Sequence, residues 1–136
     1  MEYKIIEQNK KKFTIDLGLR AGHDNTAKIS SVSDIVDWYT DWQIERADKG
    51  LPYFSGIVLE AQFVYAYKKD LKVIGDNEPS ARVEGEISSE YHQDFFDDDE
   101  KIISIILDLA KKLGTLANQE RVHVEYGDKI YLLEKL

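Results

Sequence analysis

The chain has no cysteine, one methionine, two prolines and three histidines. Without cysteine there is no disulfide framework, no thiolate nucleophile and no Cys-ligated zinc, and the lack fits a reducing or an oxidising compartment equally well. Basic charge is also short. The 18 Lys and Arg stand against 26 Asp and Glu, a formal net charge of −8, which argues against a nucleic-acid backbone or an anionic membrane as main partner. Long apolar runs are missing: the stretches 57–67 and 102–109 are broken by Glu60 and Asp108 and fall short of the roughly 20 residues that span a bilayer. The start Met1-Glu2-Tyr3-Lys4-Ile5-Ile6-Glu7 lacks the basic lead and apolar stretch of a signal peptide, so the chain is expected to be cytoplasmic. Neither a P-loop, a dinucleotide fingerprint nor a Gly-x-Ser-x-Gly turn occurs. No catalytic residue, metal or cofactor is therefore assigned.

What is present is a length of 136 residues with 43% hydrophobic and 32% charged side chains, suited to one folded domain covering residues 1–136. Tyr3 to Gln8 and Phe13 to Leu19 read as a strand pair around the polar turn Asn9-Lys10-Lys11-Lys12, with Phe13, Ile15, Leu17 and Leu19 on one apolar face. Ile35, Trp38, Tyr39 and Trp42 recur at helical spacing, with Ser31 or Ser33 as cap and Gly50 as stop. A long strand follows from Ile57 to Tyr67, putting Ile57, Leu59, Ala61, Phe63, Tyr65 and Tyr67 on one side. Lys68 to Ser80 is turn-rich. Ala81 to Tyr91 then points Val83, Ile87 and Tyr91 inward and Arg82, Glu84, Glu86, Ser88 and Glu90 outward. A second helix starts near Asp98 and shows Ile102, Ile103, Ile106, Leu109, Ala110 and Leu113 on one face, with Gly114 at or near its end. Two strands, Arg121 to Tyr126 and Lys129 to Leu133, flank Gly127-Asp128, a short hairpin signal.

This order, ββ-α-ββ-α-ββ, predicts an α+β protein: an antiparallel sheet with two helices packed on one face. The βαββαβ unit inside it resembles the ferredoxin-like superfold in element order, with extra hairpin strands at both ends. That architecture hosts enzymes, sensors and interaction modules alike. Its uncovered sheet face could be solvated or could pair with a second subunit, which makes a homodimer an expectation to test.

Charge is segregated along the chain. Between Glu84 and Glu100 lie eight acids and no Lys or Arg, which leaves 18 acids against 18 basic residues elsewhere. Part of this acidity suits the positive end of the second helix. The segment also carries aromatics, so Glu84, Glu86, Glu90, Tyr91, Asp94, Phe95, Phe96 and Asp97 form a candidate surface for a basic protein partner, the carboxylates steering and the rings anchoring. A hard cation there is disfavoured, since the spacing is not that of an EF-hand. The loop Gly18 to Thr26 offers a different site, in which Arg20, Gly22, His23, Asn25 and Thr26 could hold an anionic metabolite near a helix N-terminus. His23, His92 and His123 are too dispersed for a local metal pair, and His123 is expected on the polar face of its strand. The aromatic residues of the first helix and the long strand read as core, with a pocket or subunit interface as the alternative.

Two functions follow. The first is a non-enzymatic interaction protein that inhibits or sequesters a basic protein through its acidic face; in size and acidity the chain resembles bacterial immunity proteins and phage-encoded inhibitors. The second is a small-molecule-binding or enzymatic ferredoxin-like oligomer with its pocket at residues 20–26. The charge segregation favours the first.

Overall fold

The computed structural model describes residues 1–21 and 28–136. Its elements are β1 (Lys10–Gly18), α1 (Val32–Asp48), β2 (Gly56–Lys69), β3 (Lys72–Ser88), α2 (Asp99–Leu116), β4 (Arg121–Tyr126) and β5 (Lys129–Glu134). All neighbours in the sheet are antiparallel and the spatial order is β2-β3-β1-β4-β5. The expected α+β architecture is thus observed, with five strands and two helices among the described residues. The N-terminal strand is not. Tyr3 and Ile5 are 81% and 93% exposed; β3 and β4 already occupy both sides of β1, so the expected hairpin partner has no free edge for residues 3–8. Only the end of this segment is tied down, Asn9 through backbone and side-chain bonds with Ser89 and Gln8 through its side-chain carbonyl, which accepts from the Ser88 hydroxyl.

Period-2 alternation decides which face of the sheet the helices cover. Phe13, Ile15 and Leu17 of β1 lie beside Val83 and Ala81 of β3 and Val122, Val124 and Tyr126 of β4, all buried. Against them α1 sets Ile35, Tyr39 and Trp42, and α2 sets Ile102, Ile105, Ile106, Leu109, Ala110 and Leu113. At roughly 1.5–3 kcal/mol for each large apolar side chain fully buried, this cluster is the main stabilising element. Helix α1 begins in a capping box, the Ser31 hydroxyl accepting from Asp34 N–H and the Asp34 carboxylate from Ser31 N–H. Gly50, at φ +68°, follows its end as expected. In α2 the N-cap is Asp98, but Gly114 lies inside the helix rather than ending it. A Cβ there would come within 2.6 Å of a Val122 methyl, so the missing side chain lets helix and sheet approach. The helices are clamped to each other by Asp108 of α2, which accepts from Trp42 Nε1 at 2.9 Å and from Arg46 at 3.1 Å.

The long hairpin departs most from expectation. β1 pairs with β3 only as far as Gly18 opposite Ser80, yet β2 and β3 continue together to Lys69 opposite Lys72. Residues 62–79 therefore form a two-stranded arm beyond the sheet, where a turn-rich stretch was expected. Asp70, at φ +52°, makes its tip. Pro79 fits because the chain alternates hydrogen-bonding sides: Glu86 N–H donates to Ser55 C=O, so the position of Pro79 seven residues earlier turns its nitrogen away from β2, to the side where β1 has stopped.

Candidate functional site

The uncovered face of the sheet carries the residues that alternate with the core. At its centre Arg82 of β3 makes a bidentate pair with Asp16 of β1, at 2.7 and 3.0 Å. Along β2 the same face shows Ile57, Leu59, Ala61, Phe63, Tyr65 and Tyr67. Their alternation alone predicts one apolar side facing the core. Pairing register overturns that reading: Val58 lies opposite Val83 and faces the helices, so its odd-numbered neighbours face away.

Where the arm leaves the sheet it twists back over this open face. Phe63 reaches His123 of β4, ring centroids 5.9 Å apart. The result is a cleft of about 520 Å3 lined by Gly18, Arg20, Phe63, Tyr65, Glu78, Gln119, Arg121 and His123, among others. Each wall has a local cause. Phe63 and Glu78 are direct cross-strand partners, as are Tyr65 and Asp76, so rings and carboxylates share one face of the arm. Asn118, at φ +52°, turns the chain out of α2 and lets Gln119 donate to the carbonyls of Arg20 and Ala117 at 2.9 and 3.1 Å. Gly18 makes the floor. A Cβ there would stand 2.6 Å from Gln119 Oε1 and 3.4 Å from Glu78 Oε1. Burial, reinforced by the negative charges of Asp76 and Glu78, raises the Tyr65 phenol above its ordinary range, and its hydroxyl donates to Asp76 at 3.4 Å. The cleft thus offers aromatic faces, a carboxylate and two guanidinium groups, Arg121 being shared with Glu134 at 3.5 Å. That set suits a zwitterion with an aromatic part better than the purely anionic ligand expected for the loop.

A second cleft, of about 850 Å3, lies at the opposite end of β2, with Tyr53, Ile57, Glu84, Glu86, Tyr91 and His92 in its walls. It collects part of the acidic segment, and the segment does not form one docking face. Glu84 and Glu86 lie on the open side of β3, Glu86 ion-paired with Lys10 at 3.5 Å. Tyr91, expected inward, is 78% exposed because β3 ends at Ser88. Phe95 and Phe96 are half-buried against the core, under Lys101 and Lys11 respectively, and so are not free anchors. Glu90, Asp94 and Asp97 are exposed in the connecting turns. Asp98 caps α2, and Asp99 accepts from Tyr126 at 2.6 Å and Lys11 at 3.1 Å. Those two donors hold the Asp99 carboxyl below its usual range. His92 accepts from Ser88 N–H through Nδ1 at 2.9 Å, a structural bond. Among the described residues no group of three His, Asp or Glu is placed to hold a metal ion.

Of the expected loop site, Arg20 lines the smaller cleft, and Gly22, His23, Asn25 and Thr26 lie outside the described residues. Both ends of that loop are pinned beside the cleft by Ala21 N–H to Lys28 C=O and Ser30 N–H to Leu19 C=O. Phe63 and Tyr65 fall under the alternative reading of the strand aromatics as a pocket wall, whereas nothing in the sequence singles out Glu78, Gln119 and Arg121 as site residues. The aromatic alternation of β2 was the available signal. His123 does stand on the polar side of its strand, but in the cleft wall.

No family model matches the chain, and no curated protein matches it. Two solved structures do. A phage SAM lyase in complex with S-methyl-5′-thioadenosine superposes with a TM-score of 0.60 at 18% identity, over 98% of this chain and 96% of that one. A phage SAM lyase in its apo state gives 0.57 at 17%, over 98% and 95%. At such identity the likeness establishes the fold. It also corrects the favoured functional reading: the two structures that match end to end are those of a SAM lyase, an enzyme, and not of an inhibitor or immunity protein, and of the acids invoked for a basic partner Glu86 is ion-paired with Lys10 while Glu90, Asp94 and Asp97 are spread through the connecting turns. No described helix is long and apolar enough to cross a membrane.

Proposed function

We propose that this chain binds S-adenosylmethionine in the cleft between the arm and β4 and cleaves it to methylthioadenosine. The observation that carries this reading is the convergence of Phe63, Tyr65, Glu78 and Arg20 in one cleft of a fold that a SAM lyase shares over its whole length. The adenine is a flat ring that stacks on an aromatic face. The sulfonium is a soft cation suited to a tyrosine ring and a nearby carboxylate. The amino-acid end is a zwitterion that a carboxylate and a guanidinium can hold together. Arg20 serves this site in place of an anion-binding loop, and the expected cytoplasmic location suits the substrate.

Forming methylthioadenosine breaks the bond between sulfur and Cγ, and its electron pair stays on sulfur as a neutral thioether. Two routes balance. In one, the substrate's own carboxylate oxygen attacks Cγ and closes a lactone without any proton transfer. In the other, a base removes a Cβ proton and the C–H pair becomes an alkene; Glu78 is the carboxylate placed for that role. Both need the bent substrate held in one conformation, which is a positioning task for the cleft. The charges of the lactone route annihilate each other, so a water-poor aromatic wall favours it.

The test is incubation of the purified chain with S-adenosylmethionine, with methylthioadenosine and its four-carbon co-product followed by mass spectrometry. The expected result is time-dependent, enzyme-proportional product; the lactone and the alkene are isomers of equal mass, so the vinyl protons in the NMR spectrum of the co-product tell the alkene from the lactone. Absence of product together with no thermal stabilisation by either S-adenosylmethionine or methylthioadenosine overturns the reading.

A further inference from the structure

The two helices cannot roof all five strands. Packed helices lie about 8–10 Å apart and neighbouring strands about 4.8 Å, so a pair of helices covers about four strands. Here α1 lies over β2 and β3, and α2 over β1 and β4, which leaves the helix side of β5 at the rim of the layer. Along α2, Ile103, Leu107, Ala110 and Gly114 follow one another at the spacing of one helix side. That side tapers: Ile103 and Leu107 are bulky and pack against the core, Ala110 carries only a methyl group, and Gly114 has no side chain. A groove of about 480 Å3 opens beside the two small residues, inside the range of about 300–1,000 Å3 that small-molecule sites occupy. Val122 and Leu133, direct cross-strand partners that pack toward the helices, add apolar walls. The polar groups lie at the rim. Lys135 continues the alternation of Tyr131 and Leu133 and so stands on the helix side, its N–H donating to Glu120 C=O at 2.8 Å. Lys111 of α2 supplies a second ammonium group. Neither lysine is ion-paired among the described residues. Of the two acids nearby, Glu134 is held by Arg121 at 3.5 Å, which leaves Glu120 against two cations.

We infer that this groove binds a free medium-chain carboxylate, a fatty acid whose chain lies along Ala110, Gly114, Val122 and Leu133 and whose head group is met by Lys111 and Lys135. An acyl chain suits such walls because it gains by leaving water and asks for no polar partner along its length. The head group sets the sign. The chain as a whole carries a net charge of −8 and repels small anions, so the two lysines are a local exception that favours an anion able to bring its own apolar tail. The groove lies on the helix side of the sheet and the S-adenosylmethionine cleft on the open side, with only the turn 118–120 shared between their walls. Binding in the groove does not depend on cleavage of S-adenosylmethionine.

Isothermal titration with decanoate, kept below its micelle-forming concentration, tests this. One decanoate is expected per chain, with the negative heat-capacity change of apolar burial. Butyrate has the same head group and little tail, and decyltrimethylammonium has the tail and the opposite charge; each should bind at least about tenfold more weakly. Lys111→Glu and Lys135→Glu alter exposed side chains, and each should weaken decanoate binding about tenfold. The double variant should prefer decyltrimethylammonium, and circular dichroism verifies that every variant is folded. A second measurement does not depend on the variants: the methylene protons of bound decanoate should show nuclear Overhauser effects to the methyl groups of Ala110, Val122 and Leu133. Absence of decanoate binding, a double variant that still prefers decanoate, or contacts to methyl groups elsewhere overturns the proposal. It also falls if the native chain ignores decanoate but self-associates in sedimentation and Lys135→Glu disperses it, since the groove is then covered by a second copy.

Discussion

One strand, β3, lives in two environments. From Ser80 to Ser88 it is paired with β1, and as far as Gly85 with β2 as well, and Ala81, Val83 and Ile87 are fully buried beneath the helices. From Lys72 to Glu78 it has β2 alone, and most of its side chains are exposed. The first half is held by packing on one side and a ladder on each edge. The second is a two-stranded ribbon, a construction that is marginal by itself in water. The arm is therefore anchored by the sheet and contributes little to it. This division leaves Phe63, Tyr65, Asp76 and Glu78 free of the core and so open to the ligand role proposed for them, whereas residues 81–87 are fixed by the core.

The sharpest test of that division is a glycine on each side. A Cβ at Gly85 would overlap the ring of Phe13, itself buried between sheet and helices, and neither the ring nor the strand has room to yield. Gly85→Ala should destabilise the protein by about 3 kcal/mol or more, read from the denaturant midpoint at constant slope. A variant as stable as the native chain would show that the core at Phe13 is loose and that the two halves of β3 differ less than argued.

Within the arm the expected loss is of function. Glu78→Gln keeps shape and removes the carboxylate from the cleft, so methylthioadenosine formation should fall about 100-fold in kcat/KM, as when a charge-assisted contact worth roughly 2–3 kcal/mol is lost. Binding of methylthioadenosine, which carries no sulfonium or ammonium, should change little. The melting temperature should stay within about 2 °C, because the side chain lies outside the core. A large stability loss with catalysis intact would reverse the roles assigned to arm and sheet.

A smaller effect belongs to the sheet alone and appears through pH. Burial, then its hydrogen bond to Asp99, raises the Tyr126 hydroxyl well above the ordinary tyrosine range. The folded state keeps this proton where the unfolded chain gives it up, so the contribution is complete below about pH 10 and declines as pH rises beyond it. The Asp99 carboxyl is lowered by Tyr126 and Lys11, so its contribution is present above about pH 4 and is lost as pH falls through the folded value. Tyr126→Phe should flatten both flanks of the stability profile measured by urea titration between pH 3 and 11. Unchanged flanks would mean that other groups, the arm's Tyr65 among them, set the pH dependence.

What could be read in the sequence follows the same boundary. Local signals were legible: Ser31 with Asp34 as a cap, Asp98 opening α2, Gly50 after α1, Gly127-Asp128 as a hairpin, and the alternation of Phe13, Ile15 and Leu17. Each is decided within a few residues. The face of β2 was not, because alternation separates two faces without saying which one meets the helices; Val58 opposite Val83 decides it, and that is a long-range pairing. The arm was hidden by Gly75, Asn77 and Pro79, which signal turns in isolation and here line a ribbon whose outer edge is open. In the cleft, the sequence points to Arg20 and, as the alternative to a core role, to the aromatics of β2. Glu78 and Gln119 meet near Gly18 from elements distant in sequence, so no spacing could announce them. The acidic run misled for the opposite reason: a count of charges does not reveal that Asp98 and Asp99 are used inside the chain.

The smallest effect completes the pair of glycines. Gly75 lies opposite Ala66 in the arm, and a Cβ there would meet nothing within 4 Å. It has no positive φ to defend, so alanine adds no strain and slightly restricts the unfolded chain. Gly75→Ala should therefore leave stability within about 0.5 kcal/mol of native, in the same strand where Gly85→Ala is severe. If instead it destabilises the chain comparably, the open side of the arm must be covered by something that packs as tightly as a core. Should that loss vanish on dilution below the concentration at which copies associate, the cover is a second copy of the chain, and the arm's independence holds only for the monomer.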